Sequence, residues 1–191
     1  MTRIIGGSLR GQRISVPARV TRPTSDRIRE ALFSSLESWL ITQGLTWGEI
    51  DVVDLFAGSG AVGLEAASRG ARSVALIDSD RGAVSVITEN NHRLGSHCEI
   101  MSMDATRWKP RKPCGVVFMD PPYSMSDSDV SAMVLRLVHN PVMDGCLIVV
   151  ERAVSSSDPF AQLDESSIEK KWERRYGDSR LWYGHLVGES P

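Results

Sequence analysis

The chain has 191 residues, of which 41% are hydrophobic and 24% charged, the balance of one ordinary globular domain. Its longest apolar runs, 116–119 and 146–150, fall far short of the roughly 20 residues that a membrane span requires, and the first residues lack a signal-peptide core. Cys98, Cys114 and Cys146 have no metal-binding spacing. We therefore expect a cytoplasmic protein with buried, reduced thiols, no membrane partner and no metal.

The net charge of −2 conceals an uneven distribution of charge along the chain. Residues 1–30 carry seven arginines and two acidic residues, a net charge of +5, whereas the other 161 residues carry −7. Guanidinium groups bind phosphates and base edges in a bidentate manner, so this basic end predicts contact with a polyanion. A solvated basic edge strand is the simpler alternative. The arginines expected to contact this polyanion are Arg3, Arg10, Arg13, Arg22 and Arg27.

The first predicted element is a short β-hairpin, with strands over 3–7 and 12–16. We assign residues 1–20 to a basic hairpin arm and residues 21–191 to the single α/β domain that follows it. Because the loops expected to bind a cofactor begin about forty residues after the arm, we expect neutral variants of the arm arginines to leave cofactor binding unchanged.

A helix follows, capped by Thr24 or Ser25 and running to about residue 40, with Arg27 and Arg29 projecting away from most of its apolar stripe. Beyond it, short β-branched runs alternate with helices, which predicts parallel βαβ units in an open, doubly wound α/β sheet. These strands and helices are predicted over 50–55, 61–69, 73–77, 81–94, 99–101, 115–119, 127–139 and 145–150. An antiparallel hairpin over 167–176 and 181–187 closes the chain.

A glycine-rich loop follows the first strand of this alternation. Gly58, Gly60 and Gly63 form a GxGxxG pattern, and Asp78 lies twenty residues after Gly58 at the next strand end. Asp54 precedes the glycines, where a carboxylate would repel the pyrophosphate of a dinucleotide but attract the ammonium and sulfonium groups of S-adenosylmethionine. The loop therefore favours S-adenosylmethionine.

Acidic residues end three successive predicted strands. Asp78 is suited to accept both ribose hydroxyls, and Asp104 to accept the adenine amino group while Met101 or Met103 packs on the ring. Each aspartate alone is equally typical of a helix cap or a surface acid, but their regular occurrence favours a cofactor site. The predicted cofactor-binding residues are Asp54, Phe56, Gly58, Gly60, Asp78, Asp104 and Ala105.

The most specific motif ends the fourth strand, where Asp120, Pro121, Pro122 and Tyr123 follow one another. The two prolines fix φ, so the carbonyls of Asp120 and Pro121 can point rigidly outward, and Tyr123 offers a flat stacking face. The Asp120 carboxylate and the Pro121 carbonyl could hold both hydrogens of an exocyclic amino group and direct its lone pair at a methyl donor. The remaining task is alignment and electrostatic stabilisation, so we predict that these four residues are catalytic.

Together, 54–63, Asp78, Asp104 and 120–123 resemble the S-adenosylmethionine-dependent amino-methyltransferases that carry an Asp-Pro-Pro-Tyr motif. The stretches 3–11, 21–33 and 176–178 are further similar to the bacterial small-subunit (16S) rRNA guanine-N2-methyltransferases. The resemblance spans nearly the whole chain. It implies a Rossmann-like, seven-stranded class I methyltransferase sheet with an N-terminal hairpin, S-adenosylmethionine as cofactor, and assembled or nearly assembled 30S particles as substrate. Asp78 stands where many members have Glu, which shortens its reach.

Two alternatives stay open at this stage. The Asp-Pro-Pro-Tyr motif does not separate guanine N2 from adenine N6 or cytosine N4, so a DNA adenine-N6 or cytosine-N4 methyltransferase is one of them, although the chain leaves little length for a sequence-reading domain. A nucleotide-binding module without methylation chemistry is the other. The expected enzyme is a monomer that takes small-subunit ribosomal RNA, with the target base extruded and stacked on Tyr123.

Overall fold

The computed structural model describes residues 2–17 and 26–188, which divide into two compact units, Met1–Ala105 and Thr106–Pro191. The predicted boundary at residue 20, the predicted caps Thr24 and Ser25, and Arg22 lie outside the described residues. The division into arm and domain therefore stays a prediction. Within the described ranges, no helix is both long and apolar enough to cross a membrane.

The first unit contains the N-terminal hairpin and three parallel strands with their helices. Strands β1 (Thr2–Arg3) and β2 (Arg13–Ile14) pair antiparallel, so the predicted hairpin is present but its ladder is shorter than expected. Turns occupy most of the intervening residues, with Gly11 donating to the Ile4 carbonyl at 2.9 Å. The remaining elements are α1 (Asp26–Gln43), β3 (Asp51–Asp54), α2 (Ala61–Ser68), β4 (Ser73–Asp78), α3 (Arg81–Arg93) and β5 (Glu99–Ser102).

Parallel pairing brings the carboxyl ends of the first unit's strands to one edge. Asp54 on β3 is in register with Leu76 on β4, and Asp78 on β4 with Ser102 on β5. Helix α2 packs closely on β4, because a Cβ added at Gly63 would lie 2.1 Å from Cδ2 of the buried Leu76. The loops that leave this edge therefore emerge side by side, as predicted for a ligand-binding edge.

The second unit continues the α/β pattern and then closes it with antiparallel strands. Its elements are β6 (Val116–Met119), α4 (Asp127–Val138), β7 (Leu147–Ala153), β8 (Ile168–Tyr176) and β9 (Ser179–Leu186). Strand β6 pairs parallel with β7, and β9 pairs antiparallel with both β7 and β8. The sheet is mixed and seven-stranded, in the order β5-β4-β3-β6-β7-β9-β8, which confirms the predicted fold class.

Most predicted elements are present, and their observed ends differ from the predicted ends where strand pairing continues further. Strand β7 continues to Ala153, beyond the predicted end at residue 150, because its pairing with β9 persists to Ser179. Cys98, Cys114 and Cys146 are buried free thiols, as predicted.

The orientation predicted for one arginine of α1 is wrong. Arg27 is exposed, but the side chain of Arg29 is 0% exposed. Its Nη2 donates to the carbonyl of Arg3 at 2.8 Å and to Oδ1 of Asp26 at 2.7 Å. Burial lowers the pKa of Arg29, and the Asp26 carboxylate opposes that shift. The hairpin thus covers a part of α1 that the apolar pattern alone predicts to be exposed to solvent.

Candidate functional site

The glycine-rich loop makes a tight turn between β3 and α2. Gly58 and Gly60 have φ values of 56° and 79°, in the left-handed region that only glycine adopts without strain. The amide of Ala57 donates to the Ile77 carbonyl at 3.0 Å, which ties the loop to the end of β4. The two predicted glycines are therefore required by the backbone conformation of the loop.

Asp78 joins two strand-end loops through its carboxylate. Oδ2 accepts the amide of Gly58 at 2.8 Å, and Oδ1 accepts the amide of Asp80 at 2.9 Å. The two residues that are twenty positions apart in the sequence are thus joined by a direct hydrogen bond. The carbonyl of Asp78 also accepts the Met103 amide at 3.0 Å, which links the loop after β5. Because each carboxylate oxygen can accept a second hydrogen bond, Asp78 keeps the capacity to bind a diol.

Asp54 lies beneath the glycine loop and is only 1% exposed. Its Oδ2 accepts the Gly63 amide at 3.3 Å, while Oδ1 is buried without a hydrogen-bond partner among the described residues. Burial raises the pKa of Asp54 to about 7; the Gly63 and Phe56 amides oppose that shift, and the charge of Asp78 adds to it. An orphaned acceptor of this kind suits a cationic or hydrogen-bonding ligand, because an unpaired buried carboxylate is costly.

The other predicted cofactor residues lie at the same edge of the first unit. Phe56 is half-buried in the glycine loop, Asp104 is exposed after β5, and Ala105 is buried at the start of a 3₁₀ turn. Met101 and Met103 are half-buried. The structure therefore brings the predicted cofactor residues together at the ends of β3, β4 and β5.

In the second unit, the Asp-Pro-Pro-Tyr segment directly follows β6. Asp120 is half-buried and Pro121 buried, whereas Pro122 and Tyr123 are exposed, Tyr123 by 57%. The Pro122 carbonyl accepts the amide of Met125 at 2.9 Å, which closes a turn after the motif. The segment thus presents an aromatic face to solvent from a backbone that the prolines restrain.

Arg152 supports this turn, and the sequence analysis missed it. This β7 arginine is 6% exposed; its Nη2 donates to the carbonyl of Met125 at 2.8 Å and to Oδ1 of Asp127 at 3.1 Å. Nη1 reaches the Pro122 carbonyl at 3.4 Å. The Ser157 amide and the Arg152 guanidinium lower the pKa of Asp127. The pair of charged residues, Glu151 and Arg152, that directly follows the apolar run 146–150 is the signal that could have identified Arg152.

The arginines predicted to contact RNA are solvent-facing wherever the structure describes them. Arg3, Arg10, Arg13 and Arg27 are exposed, and none forms an ion pair with a carboxylate in residues 2–17 or 26–188. Their guanidinium groups are therefore available for an anionic ligand.

The hairpin contacts the helix that follows the glycine-rich loop, a contact that the sequence distance does not indicate; the effect of arm variants on cofactor binding stays a prediction. The buried Glu65 of α2 accepts the amides of Ile5 at 2.7 Å and Gly6 at 2.8 Å. Ser68 adds two further bonds, donating to the Gly6 carbonyl at 2.6 Å and accepting the Leu9 amide at 2.9 Å. The arm thus packs on α2, the helix that directly follows the glycine-rich loop.

Comparison with known proteins identifies the family of this chain. The family model described as Conserved hypothetical protein 95 matches residues 2–185. Ribosomal RNA small subunit methyltransferase D of Escherichia coli K12 is 34% identical over 192 residues, covering 98% of this chain and 92% of that protein. The chain belongs to this methyltransferase family. The protein of the same name from Haemophilus influenzae is 31% identical over 157 residues, 78% of this chain and 77% of its own.

Solved structures of the family and of its fold are also similar to this chain. A hypothetical protein of Thermus thermophilus matches with a TM-score of 0.76 and 30% identity, covering 98% of this chain and 99% of that one. A 16S rRNA N2 methyltransferase of the same species, solved with S-adenosylmethionine and guanosine, has a TM-score of 0.67 and 18% identity, covering 96% of this chain and 49% of that one. The class I methyltransferase fold and the family resemblance are therefore confirmed.

Proposed function

We propose that this protein transfers the methyl group of S-adenosylmethionine to the exocyclic N2 amino group of a guanine in small-subunit rRNA, on assembled or nearly assembled 30S particles. Methylation of small-subunit rRNA with S-adenosylmethionine as donor follows from family membership. The observation that supports methyl transfer to an exocyclic amine is the exposed Tyr123, presented by Asp120, Pro121 and Pro122 at the end of β6. The choice of guanine N2 rests on the resemblance of 3–11, 21–33 and 176–178 to the guanine-N2-methyltransferases.

The cofactor is proposed to bind at the loops of the first unit. Asp78, already oriented by the amides of Gly58 and Asp80, would accept the ribose hydroxyls with its remaining lone pairs. Phe56, Asp104 and Ala105 would surround the adenine; the half-buried ring of Phe56 offers apolar surface and Asp104 an acceptor for the amino group.

Asp54 would act through its charge. Because it is 1% exposed, its carboxylate would meet the cofactor ammonium through a bridging water or through the polarised loop amides, without a direct ion pair. The same negative charge disfavours a pyrophosphate at the loop, which supports S-adenosylmethionine over a dinucleotide.

The chemistry assigned to the second unit is positioning of the acceptor nitrogen. The Asp120 carboxylate and the Pro121 carbonyl would accept the two amino hydrogens, which directs the nitrogen lone pair toward the methyl carbon. The nitrogen–carbon bond would form as the carbon–sulfur bond breaks, with S-adenosylhomocysteine as the leaving group, and the nitrogen would give up one proton to water. Tyr123 would stack on the extruded guanine.

The RNA would be bound by the exposed arginines of the arm, Arg3, Arg10 and Arg13, and by Arg27 at the start of α1. Arg22 is part of the same proposal by its place in the sequence. Guanidinium groups suit phosphate oxygens, and this contact would supply affinity that does not depend on base identity.

The test is incubation with methyl-labelled S-adenosylmethionine and, separately, naked small-subunit rRNA, small ribosomal subunits and genomic DNA, followed by digestion and nucleoside chromatography. We expect label in N2-methylguanosine from the ribosomal substrate. Label only in DNA, or only in N6-methyladenosine or N4-methylcytidine, would overturn the proposal. Binding of NAD without binding of S-adenosylhomocysteine would favour the nucleotide-binding alternative.

A further inference from the structure

One buried side chain joins the N-terminal hairpin to the glycine-rich loop. Asn90 of α3 is 0% exposed. Its Oδ1 accepts the amide of Ser15 at 2.9 Å, and its Nδ2 donates to the carbonyls of Ser15 at 2.9 Å and Ser59 at 3.0 Å. Ser15 directly follows β2, and Ser59 lies between the two loop glycines. The amide therefore connects both segments through their backbones.

The connection extends to an arginine of the arm. Arg93, on the same helix, donates from Nη2 to the Arg13 carbonyl at 2.6 Å and to Oδ1 of Asn90 at 3.1 Å. On the other side, the residue before Ser59 is Gly58, whose amide binds Asp78. A continuous set of hydrogen bonds and backbone thus runs from Arg13 to Asp78 by way of Asn90.

This role needs the chemistry of an asparagine. The site requires one acceptor for the Ser15 amide and donors for two carbonyls, and a primary amide supplies both from one planar group. A carboxylate there would place an oxygen against two carbonyl oxygens, and an apolar side chain would remove the partner of three backbone groups, of which the Ser59 carbonyl lies in a buried bond.

We infer that Asn90 is a positioning residue that couples RNA binding at the arm to cofactor binding at the glycine loop. The inference rests on the proposed function. RNA that restrains Arg13 and Ser15 restrains the amide of Asn90, which holds the Ser59 carbonyl and thereby the loop. The ordering of the loop is then achieved before the cofactor arrives, so each ligand tightens the binding of the other by the same factor.

The neighbouring residue provides a matched control. Asn91, on the same helix, donates from Nδ2 to the Cys98 carbonyl at 3.3 Å and accepts the Cys98 amide at 3.2 Å. It has the same side chain and also binds both the amide and the carbonyl of one residue, but that residue belongs to neither the arm nor the glycine loop. Replacement of Asn91 therefore reports the structural cost alone.

The experiment measures the Kd of S-adenosylhomocysteine by calorimetry, with and without saturating small ribosomal subunits or naked small-subunit rRNA. The ratio of the two Kd values is the coupling factor. We expect at least about fivefold tightening in the unaltered protein, the lower end of typical coupling between sites. In Asn90→Ala and Asn90→Asp the factor falls toward one, and in Asn91→Ala it is retained. Thermal melts of each variant identify loss of folding.

The outcomes separate this inference from the function on which it rests. A coupling factor of one in the unaltered protein, with both ligands bound, overturns the inference and leaves the proposed function standing; this result needs no variant. Equal loss of coupling in the Asn90 and Asn91 variants also overturns it, since the effect would then be structural. Failure of the unaltered protein to bind either S-adenosylhomocysteine or RNA overturns both.

Discussion

The proposed cofactor-binding edge of the first unit and the Asp-Pro-Pro-Tyr segment of the second unit are built in opposite ways. The first is tied by side chains that bind backbone amides, with Asp54 buried and Asp78 bonded on both oxygens. The second is exposed at Tyr123 and is restrained by two prolines and by one buried cation, Arg152. A cofactor that binds at every turnover suits a preorganised acidic edge, whereas a large RNA substrate needs an accessible surface.

The largest expected effect separates chemistry from cofactor binding. Asp120→Ala should lower kcat by about 10²- to 10³-fold, because it removes a group used mainly in the transition state. The Kd of S-adenosylhomocysteine should stay unchanged, since the residues proposed to bind the cofactor lie in the first unit. Single-turnover methylation and calorimetry measure the two quantities, and near-normal turnover by the folded variant would refute the catalytic role.

The converse variant is Asp78→Ala. It should weaken the binding of S-adenosylhomocysteine by about 1.5–3 kcal/mol, the cost of removing a charge-assisted hydrogen bond. The kcat at saturating cofactor should change much less. Asp80→Ala serves as a control, because Asp80 caps α3 by accepting the Ala83 amide at 2.8 Å. Equal weakening of cofactor binding in both variants would assign the effect to loop structure instead of ribose contact.

Arg152→Ala tests what restrains the Asp-Pro-Pro-Tyr segment, which is proposed to be catalytic. Removing the guanidinium leaves the Met125 carbonyl without its donor and Asp127 without its cation. We expect a decrease of roughly 1–3 kcal/mol in the free energy of unfolding together with a lower kcat and an unaltered cofactor Kd. Arg180→Ala, on the paired strand β9, removes a bond to the exposed Glu173 instead. Chemical denaturation and turnover of both variants decide whether Arg152 has a specific effect on catalysis.

The pH dependence of cofactor binding tests the burial of Asp54. Its pKa is raised to about 7, so the carboxyl is largely protonated at pH 6 and ionised at pH 8. Only the ionised form attracts the cofactor ammonium, so affinity should rise by up to about tenfold across this interval and then level off. Asp54→Asn should flatten the profile, and a profile that is already flat in the unaltered protein would contradict the role.

The same group has a defined effect on stability. Its folded-state pKa lies above the ordinary carboxyl value of 3.8, so the folded protein binds the proton more tightly than the unfolded chain. The resulting decrease in stability begins as the pH rises above about 4 and is complete above about 7. We therefore compare the melting temperatures of Asp54→Asn and the unaltered protein at two pH values. The difference, variant minus unaltered protein, should be larger at pH 8 than at pH 5.

The smallest expected effect concerns the arm. Replacing Arg3, Arg10 and Arg13 together by Gln should weaken RNA binding and reduce the slope of log affinity against log salt by about 0.7 for each phosphate that is no longer neutralised. Arg27→Ala should impair turnover more than binding. An unchanged KM for small subunits and an unchanged salt slope in the triple variant would show that the arm is only a solvated edge.

The sequence alone determined the alternating elements, the glycine loop, the acids at strand ends and the Asp-Pro-Pro-Tyr segment. These signals are local: hydrophobic period, turn glycines and the residue at a strand end depend on near neighbours in the chain. The hydrogen bond between Gly58 and Asp78 could be predicted from the sequence, because the spacing of the two residues is typical of a recurrent βαβ unit.

Only the tertiary structure decided the partners of Glu65, Asn90, Arg29 and Arg152. Their bonds to the backbone span 26 to 75 residues of sequence, and each polar group is buried by an element that its own segment does not specify. The buried Arg29 therefore contradicted the expectation drawn from helical spacing, and the docking of the arm on α2 could not be inferred from sequence distance. Polar satisfaction in a core depends on which surfaces pack together, and that is a property of the whole fold.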